Sequence, residues 1–226
     1  MTRSPALAVM ARAPGSERVK SRLHSALGAG PATLLYRCFL LDGLEAAVAL
    51  PGVAPVLAFS PPHAARAMAA LAPPGMGLVA QQGADLGARM AHLAASLLAA
   101  GHRAALLIGS DLPTLPAAHL TEASRALAEG AADVVLGPAE DGGYYLIGLA
   151  RPVPALFEGI AWSTGGVLAA TRARARGLGL REHLLAPWYD VDTPADLDRL
   201  RRDLSLPGGG ARRTRRWLAA FAPGRG

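Results

Sequence analysis

Short runs that are apolar at every position alternate along the chain with longer stretches whose apolar residues recur every three to four positions. The first pattern predicts strands covered on both faces, and the second predicts amphipathic helices. "ALAVMA" (Ala6 to Ala11), "APVLAFS" (Ala54 to Ser60), "MGLVAQQ" (Met76 to Gln82), "RAALLIGSD" (Arg103 to Asp111) and "ADVVLGP" (Ala132 to Pro138) read as strands, and "GGYYLIGLA" (Gly142 to Ala150) as a further apolar segment. Helices are expected from about Pro31 to Leu50, after Pro61 and Pro62, from about Asp85 to Ala100, from Pro116 to Gly130, and after "DVDTPADLDRL". Buried strands separated by helices define an α/β protein: a mostly parallel mixed sheet with helices on both sides, three layers in all.

In such sheets ligands bind outside the carboxyl ends of the strands. That rule selects the loops after Ala11, Gln81, Gly109 and Pro138, and each holds the unusual polar residues of its region. The first loop, "RAPGSERVKSRL", offers Arg12, Gly15, Arg18, Lys20 and Arg22. Several cations beside a backbone free to approach suit a di- or triphosphate, although neither G-x-x-x-x-G-K-[ST] nor G-x-G-x-x-G is present. Lys20 is the only lysine among the 23 basic side chains. A compact point charge on a flexible stem is not interchangeable with arginine's planar fork, so the lone lysine is a candidate phosphate ligand.

"QQGADLGARM" places Gln81, Gly83, Asp85 and Arg89 at a strand-to-helix passage, where an amide can read a base edge and an arginine can pair with phosphate. Asp85 serves equally well as the helix cap. In "LLIGSDLPTL", Asp111 leaves a buried strand just before Pro113, a position from which a carboxylate can hold Mg²⁺ or Mn²⁺. "AEDGGYYLIG" supplies Glu140, Asp141, Gly142, Gly143 and Tyr144, a mixture that suits a hydroxyl-rich substrate, while "DGG" also reads as a hairpin turn. Trp162 lies in the glycine-rich "AWSTGG". In "YDVDTPADLDRL", Thr193, Pro194 and Asp196 form a helix start, which leaves Asp190 and Asp192 unexplained by capping.

Charge alters the picture only after it is located. Net charge is +6, but residues 207–226 hold five arginines and no acid, so the preceding body is nearly neutral at +1. That distribution argues against a nucleic-acid-binding domain. The expected division is a domain over residues 1–206 and a basic, solvated, mobile tail over 207–226. One cysteine, Cys38, on an apolar helical face leaves no disulfide framework. The six histidines lack paired metal-ligand spacing. No apolar run reaches the roughly 18 residues of a membrane span, and a cytoplasmic location is expected.

Taken together in order, "MARAPGSERVKSRL", "GADLGARM", "LLIGSDLPTL", "GPAEDGGYYLIGL", "FEGIAWST" and "YDVDTPADL" resemble a bacterial family of glycosyltransferase-like proteins. Its members are known as radical-SAM/selenodomain-associated transferases and arsenosugar biosynthesis glycosyltransferases. More distantly the chain is similar to the GT-A superfamily of nucleotide-diphospho-sugar transferases, which includes nucleotidyltransferases. The resemblance implies a GT-A-like, Rossmann-like sheet of about seven strands with a nucleotide over its N-terminal half. It implies phosphate contacts from Arg12, Lys20 and Arg22, a metal carboxylate at Asp111, a second at Asp192 from "VDTPADL", and base recognition across Gln81 to Arg89. The first loop departs from the G-x-G-[TS]-R form usual in nucleotidyltransferases, which favours a nucleotide diphosphate sugar over a triphosphate.

The expected function is therefore a Mg²⁺- or Mn²⁺-dependent transferase that takes an NDP-sugar donor and a small-molecule acceptor. Lys20, Asp111 and Asp141 are the catalytic candidates. Nucleotidyl transfer from an NTP with release of pyrophosphate is the competing enzymatic reading, and a non-catalytic nucleotide-binding protein the competing class. Base, sugar, acceptor and oligomeric state are not legible at this level.

Overall fold

The computed structural model describes residues 3–15, 19–205 and 210–221. Its centre is a seven-stranded sheet in the order β3-β2-β1-β4-β6-β5-β7. The strands are β1 (Ala6–Arg12), β2 (Ala54–Ser60), β3 (Gly77–Ala80), β4 (Ala105–Gly109), β5 (Val134–Pro138), β6 (Tyr144–Leu149) and β7 (Glu182–Leu184). β1 pairs in parallel with β2 and β4, and β2 with β3. β6 runs antiparallel to both neighbours, β4 and β5, while β5 and β7 are again parallel. The expected mostly parallel mixed sheet is thus present, and its one reversal is the β5–β6 hairpin.

Alternation within the strands explains the layers, because successive side chains point to opposite faces. Leu7, Val9, Leu106 and Ile108 enter one core with Leu40, Leu44 and Ala47 of α2 (Ala29–Ala49) and Leu120, Ala123 and Leu127 of α5 (Ala117–Ala128). Ala6, Ala8, Ala105 and Leu107 enter the other with Met90, Leu93 and Leu97 of α4 (Leu86–Ala99) and Ala175 of α6 (Val167–Gly177). Both faces being apolar is the reason these strands read as unbroken hydrophobic runs. The segment after Pro61 and Pro62 is helical only briefly, as a 3-10 turn and α3 (Ala65–Ala69).

A third core forms at one end. Leu23, Leu27 of α1 (His24–Leu27), Leu35 and Phe39 meet Tyr189, Val191 and the Leu197, Leu200 and Leu204 stripe of α7 (Pro194–Ser205). Trp217 and Leu218 of α8 (Arg212–Ala220), with Phe221 just after it, cover this core. This corrects the expected mobile tail, of which residues 207–209 and 222–226 lie outside the described residues: positions 210–221 are docked on the body. Asp42, buried in α2, accepts hydrogen bonds from the backbone N–H groups of Arg213 (3.0 Å) and Thr214 (2.8 Å). A buried carboxylate spent on two otherwise orphan donors at a helix N-terminus satisfies the charge and the helix together. Cys38 is half-buried, and no helix among the described residues is long and apolar enough to cross a membrane.

Candidate functional site

The loop that follows β1 is anchored from beneath. The Tyr36 hydroxyl of α2 accepts from the Arg12 backbone N–H and donates to the Arg12 carbonyl, both at 3.0 Å, and lies 3.0 Å from Ser110 Oγ at the end of β4. Burial pushes the Tyr36 phenol pKa far up, so this hydroxyl stays a neutral connector. Lys20 follows in the left-handed conformation, φ 53° and ψ 39°. For a residue with a Cβ that conformation costs about 1–2 kcal/mol, so surrounding contacts must hold it.

Those contacts are carboxylates. The Lys20 side chain is only 2% exposed, with Nζ 2.9 Å from Asp111 Oδ2 and 2.5 Å from Asp192 Oδ1. The Phe39 ring adds a cation–π contact, its centroid 5.9 Å from Nζ. Burial works against the lysine's charge, but the two carboxylates outweigh it and hold its pKa above the ordinary value. Asp192 is held below the usual carboxylate range: burial opposes this, and the Lys20 charge with hydrogen bonds from Lys20 and Asp190 prevails. Asp190 moves the opposite way, pushed up to about 7 by burial and by the neighbouring charges of Asp192 and Asp141.

Local sequence chemistry sets Asp192 in place. Val191, fully buried, donates its N–H to the Asp111 carbonyl at 3.1 Å. Two residues further, Thr193 and Asp196 form a reciprocal cap, with the Asp196 carboxylate accepting from the Thr193 N–H and Oγ1, both at 2.7 Å. The Asp192 N–H reaches the same carboxylate at 3.1 Å. The expected helix start is there, and it serves as the post from which the Asp192 side chain reaches Lys20.

Two cavities meet at this carboxylate pair. The larger, about 620 Å³, is lined by Arg12, Lys20, Arg22, Gln81, Asp85 and Arg89 among others and lies over the carboxyl ends of β1 to β4. The second, about 480 Å³, is lined by Asp141, Gly143, Tyr144, Thr164 and Asp190, at the β5–β6 turn. Arg22, Asp111, Trp162, Ser163 and Asp192 border both. The result is one two-lobed cleft with a ring of charge at its waist. Trp162 is seated there because Gly87 has no side chain: a Cβ on Gly87 would fall 2.5 Å from the indole.

Several expected residues take other positions or duties. Glu140 does not line the cleft; it pairs with Arg199 of α7 at 2.7 Å on the outer surface. Gly142, at φ +88°, is the hairpin turn pressed on the 161–166 loop, where a Cβ would stand 2.1 Å from the Gly165 oxygen. Gly83 allows close approach to α4, since its Cβ would be 2.6 Å from the Arg89 nitrogen, and Gly15 is likewise absent from the cavity lining. Asp85 caps α4 through Ala88 N at 2.7 Å. Gln81 Nε2 is committed to the Ala58 carbonyl at 2.8 Å, and Arg89 Nε to Gly83 O at 3.2 Å. Asp141 Oδ1 accepts from Gly143 N at 2.9 Å, leaving its other oxygen for the cleft. Arg18 lies outside the described residues.

Sequence reasoning missed Tyr36, Ser60 and Ser163. Ser60 ends β2, so the strand-end rule would have found it; its hydroxyl is buried, lines the larger lobe and has no hydrogen-bond partner. Nothing in the pattern of α2 sets Tyr36 apart from its core neighbours.

A divalent cation fits the donor set. Asp111 keeps a buried oxygen, Oδ1, without a partner, and Asp192 is ionised beside it. Among the described residues no cluster of three or more His, Cys, Asp or Glu groups is gathered as a closed cage. Two carboxylates with phosphate oxygens and water completing the shell is the arrangement Mg²⁺ favours.

The three-layer α/β fold matches those of nucleotide-diphospho-sugar transferase and cytidylyltransferase structures. The chain belongs to the family described as "Uncharacterized protein conserved in bacteria (DUF2064)", whose model matches residues 43–164. It is similar to a Desulfovibrio desulfuricans G20 protein assigned as a nucleotide-diphospho-sugar transferase, with 31% identity, 96% of this chain and 95% of that one covered, and a TM-score of 0.89. It shares its fold with CMP:2-keto-3-deoxy-manno-octonic acid synthetase complexed with CTP (15% identity, 89% and 98% covered, TM-score 0.57). The fold also recurs in a cytidylyltransferase from Leptospira borgpetersenii (13% identity, 96% and 93% covered, TM-score 0.57). No curated protein matches the chain in sequence.

Proposed function

We propose that this protein is a transferase that moves a glycosyl group from an NDP-sugar to a small acceptor, with Mg²⁺ or Mn²⁺ at Asp111 and Asp192. The observation that carries the reading is the two-lobed cleft whose lobes share one carboxylate pair. The larger lobe, with Arg12, Lys20, Arg22 and Arg89, supplies charge for a diphosphate. The smaller, with Asp141, Tyr144 and Thr164, supplies hydrogen-bonding groups for a hydroxylated acceptor. Trp162 at the waist gives an apolar face against which a sugar ring can lie.

The bound cation would supply Lewis-acid stabilisation of the departing diphosphate. The protein's own groups do the remainder. Lys20 and Arg22 concentrate positive charge at the waist. Asp141 presents its free oxygen to the acceptor lobe and takes the proton of an acceptor hydroxyl. The 31% identity to a protein assigned as a nucleotide-diphospho-sugar transferase and the motif resemblance to arsenosugar-type glycosyltransferases both support a sugar donor.

The test is a thermal-shift screen of NTPs and NDP-sugars with Mg²⁺ or Mn²⁺, followed by product analysis on the ligand that stabilises. A ligand at 100 times its Kd adds about 2.7 kcal/mol. Release of NDP from an NDP-sugar upholds the proposal; release of pyrophosphate from an NTP, with none of NDP, replaces it by nucleotidyl transfer.

A further inference from the structure

The ammonium of Lys20 lies between the two carboxylates that would hold the cation, 2.9 Å from one and 2.5 Å from the other. Lys20 holds Asp111 Oδ2 and Asp192 Oδ1 and leaves Asp111 Oδ1 without a partner, so a divalent ion ligated by both residues would have to sit against the ammonium, positive charge beside positive charge. The lysine is also tightly enclosed, at 2% exposure, so it cannot simply share the gap with water around it. It has somewhere to go: the larger lobe opens directly beside it and is bordered by Arg12, Arg22 and Arg89, where the phosphates of a donor would lie.

We propose that Lys20 is a built-in counterion that is exchanged for the divalent cation when the donor arrives. In the free protein Lys20 bridges Asp111 and Asp192, offsets one of their two charges and keeps the metal site closed. Donor phosphate offers Nζ a new anionic partner, and the vacated carboxylates then take the metal. Metal and donor therefore enter as a coupled pair, each raising the affinity of the other. Arginine cannot perform the exchange, because its wider planar fork does not fit the enclosed gap and binds as a bidentate clamp. The inference rests on the reading of the cleft as a metal and donor site and adds the order in which that site fills.

The experiment titrates Mn²⁺ alone into the full chain and follows free Mn²⁺ by electron paramagnetic resonance. Wild type, Lys20→Met, Lys20→Gln and the double variant Lys20→Met/Asp111→Asn are compared, with melting curves with and without Mn²⁺ in parallel. Neutralising Lys20 should tighten Mn²⁺ at least 10-fold and make Mn²⁺ raise the melting temperature more than in wild type; Asp111→Asn should cancel the gain. Equal or weaker Mn²⁺ binding in both neutral variants overturns the exchange. So does failure of both to fold even in Mn²⁺, since the metal is then no substitute for the lysine. The two levels separate cleanly. If wild type gains stability from a nucleotide donor but the Mn²⁺ affinities are equal, only the exchange falls; if no donor stabilises wild type, the reading of the cleft falls.

Discussion

Val191 donates its backbone N–H to the carbonyl of Asp111, 3.1 Å away, and this bond brings together the backbones that carry the Asp111 and Asp192 carboxylates. It joins the end of β4 to the entry of α7, two elements far apart in sequence, at the point where both hand a side chain to the cleft. The charge at the waist of the cleft is therefore positioned by backbone, and substitutions of the carboxylates alone should alter chemistry without rearranging the fold.

Asp111→Asn tests that statement. It keeps the shape and the backbone bond but removes half of the lysine's counter-charge. Breaking a fully buried pair on one side costs about 3–5 kcal/mol; with the Asp111 side chain 32% exposed and Asp192 still in place, the expected loss in urea denaturation is smaller, about 1–2 kcal/mol. Transfer activity should fall by about 100-fold or more, the loss typical when one group that stabilises developing charge is deleted.

Gly87→Ala sets two effects against each other. Alanine favours the helix by about 0.5–1 kcal/mol, but its methyl would enter the Trp162 ring, 2.5 Å away. Backbone neighbours leave the indole as the group that must move, so the clash should win. The expected outcome is a shift in tryptophan fluorescence together with weaker binding in both lobes, read as a higher KM for donor and for acceptor.

Ser60→Ala separates stability from recognition. The hydroxyl is buried and unpartnered, so removing it should leave the melting temperature unchanged or slightly raised. Donor affinity should fall by about 1 kcal/mol, the net value of one hydrogen bond, in an isothermal titration.

Asp85→Ser asks whether the carboxylate does more than cap α4. Serine caps as well as aspartate, and so donor affinity and stability should both be retained. Asp85→Ala, by contrast, should cost about 1 kcal/mol in denaturant unfolding.

Asp42→Ala probes the docking of α8 away from the cleft. Two backbone donors, on Arg213 and Thr214, would lose their acceptor at a buried position. Stability should drop by about 1–3 kcal/mol while donor affinity holds, and amide exchange should speed up across residues 212–220.

β1 to β6 and the loops at their carboxyl ends were legible because strands covered on both faces are apolar throughout and loops are the only places left for polar chemistry; β7, with its polar and half-exposed Glu182 and His183, was not. Residue types such as Asp111, Lys20 and Asp192 stood out against that background. The burial of Lys20 was not legible, since it depends on Asp192 arriving 172 positions later. The same holds for Glu140, whose partner Arg199 sits on a distant helix. α6 went unread because "RARAR" hides its buried positions Val167, Thr171 and Ala175, spaced as one helical face. In the C-terminal segment, five arginines suggested solvation, yet Ala211, Thr214, Trp217, Leu218 and Phe221 recur at helical spacing, a signal that charge obscured. The direction of β6 had no sequence signature beyond "DGG", whose reading as a hairpin is the one the structure contains.

That reversal in the sheet also separates the two halves of the cleft by the way each is built. The lobe over β1 to β4 is built by crossover loops that also tie the core together, so change there disturbs everything beneath. The lobe at the β5–β6 turn is built by a hairpin tip and the 161–166 segment, which press on each other at Gly142 and Gly165. A side-chain change at Tyr144 or Thr164 would therefore alter one lobe and leave the lining of the other in place.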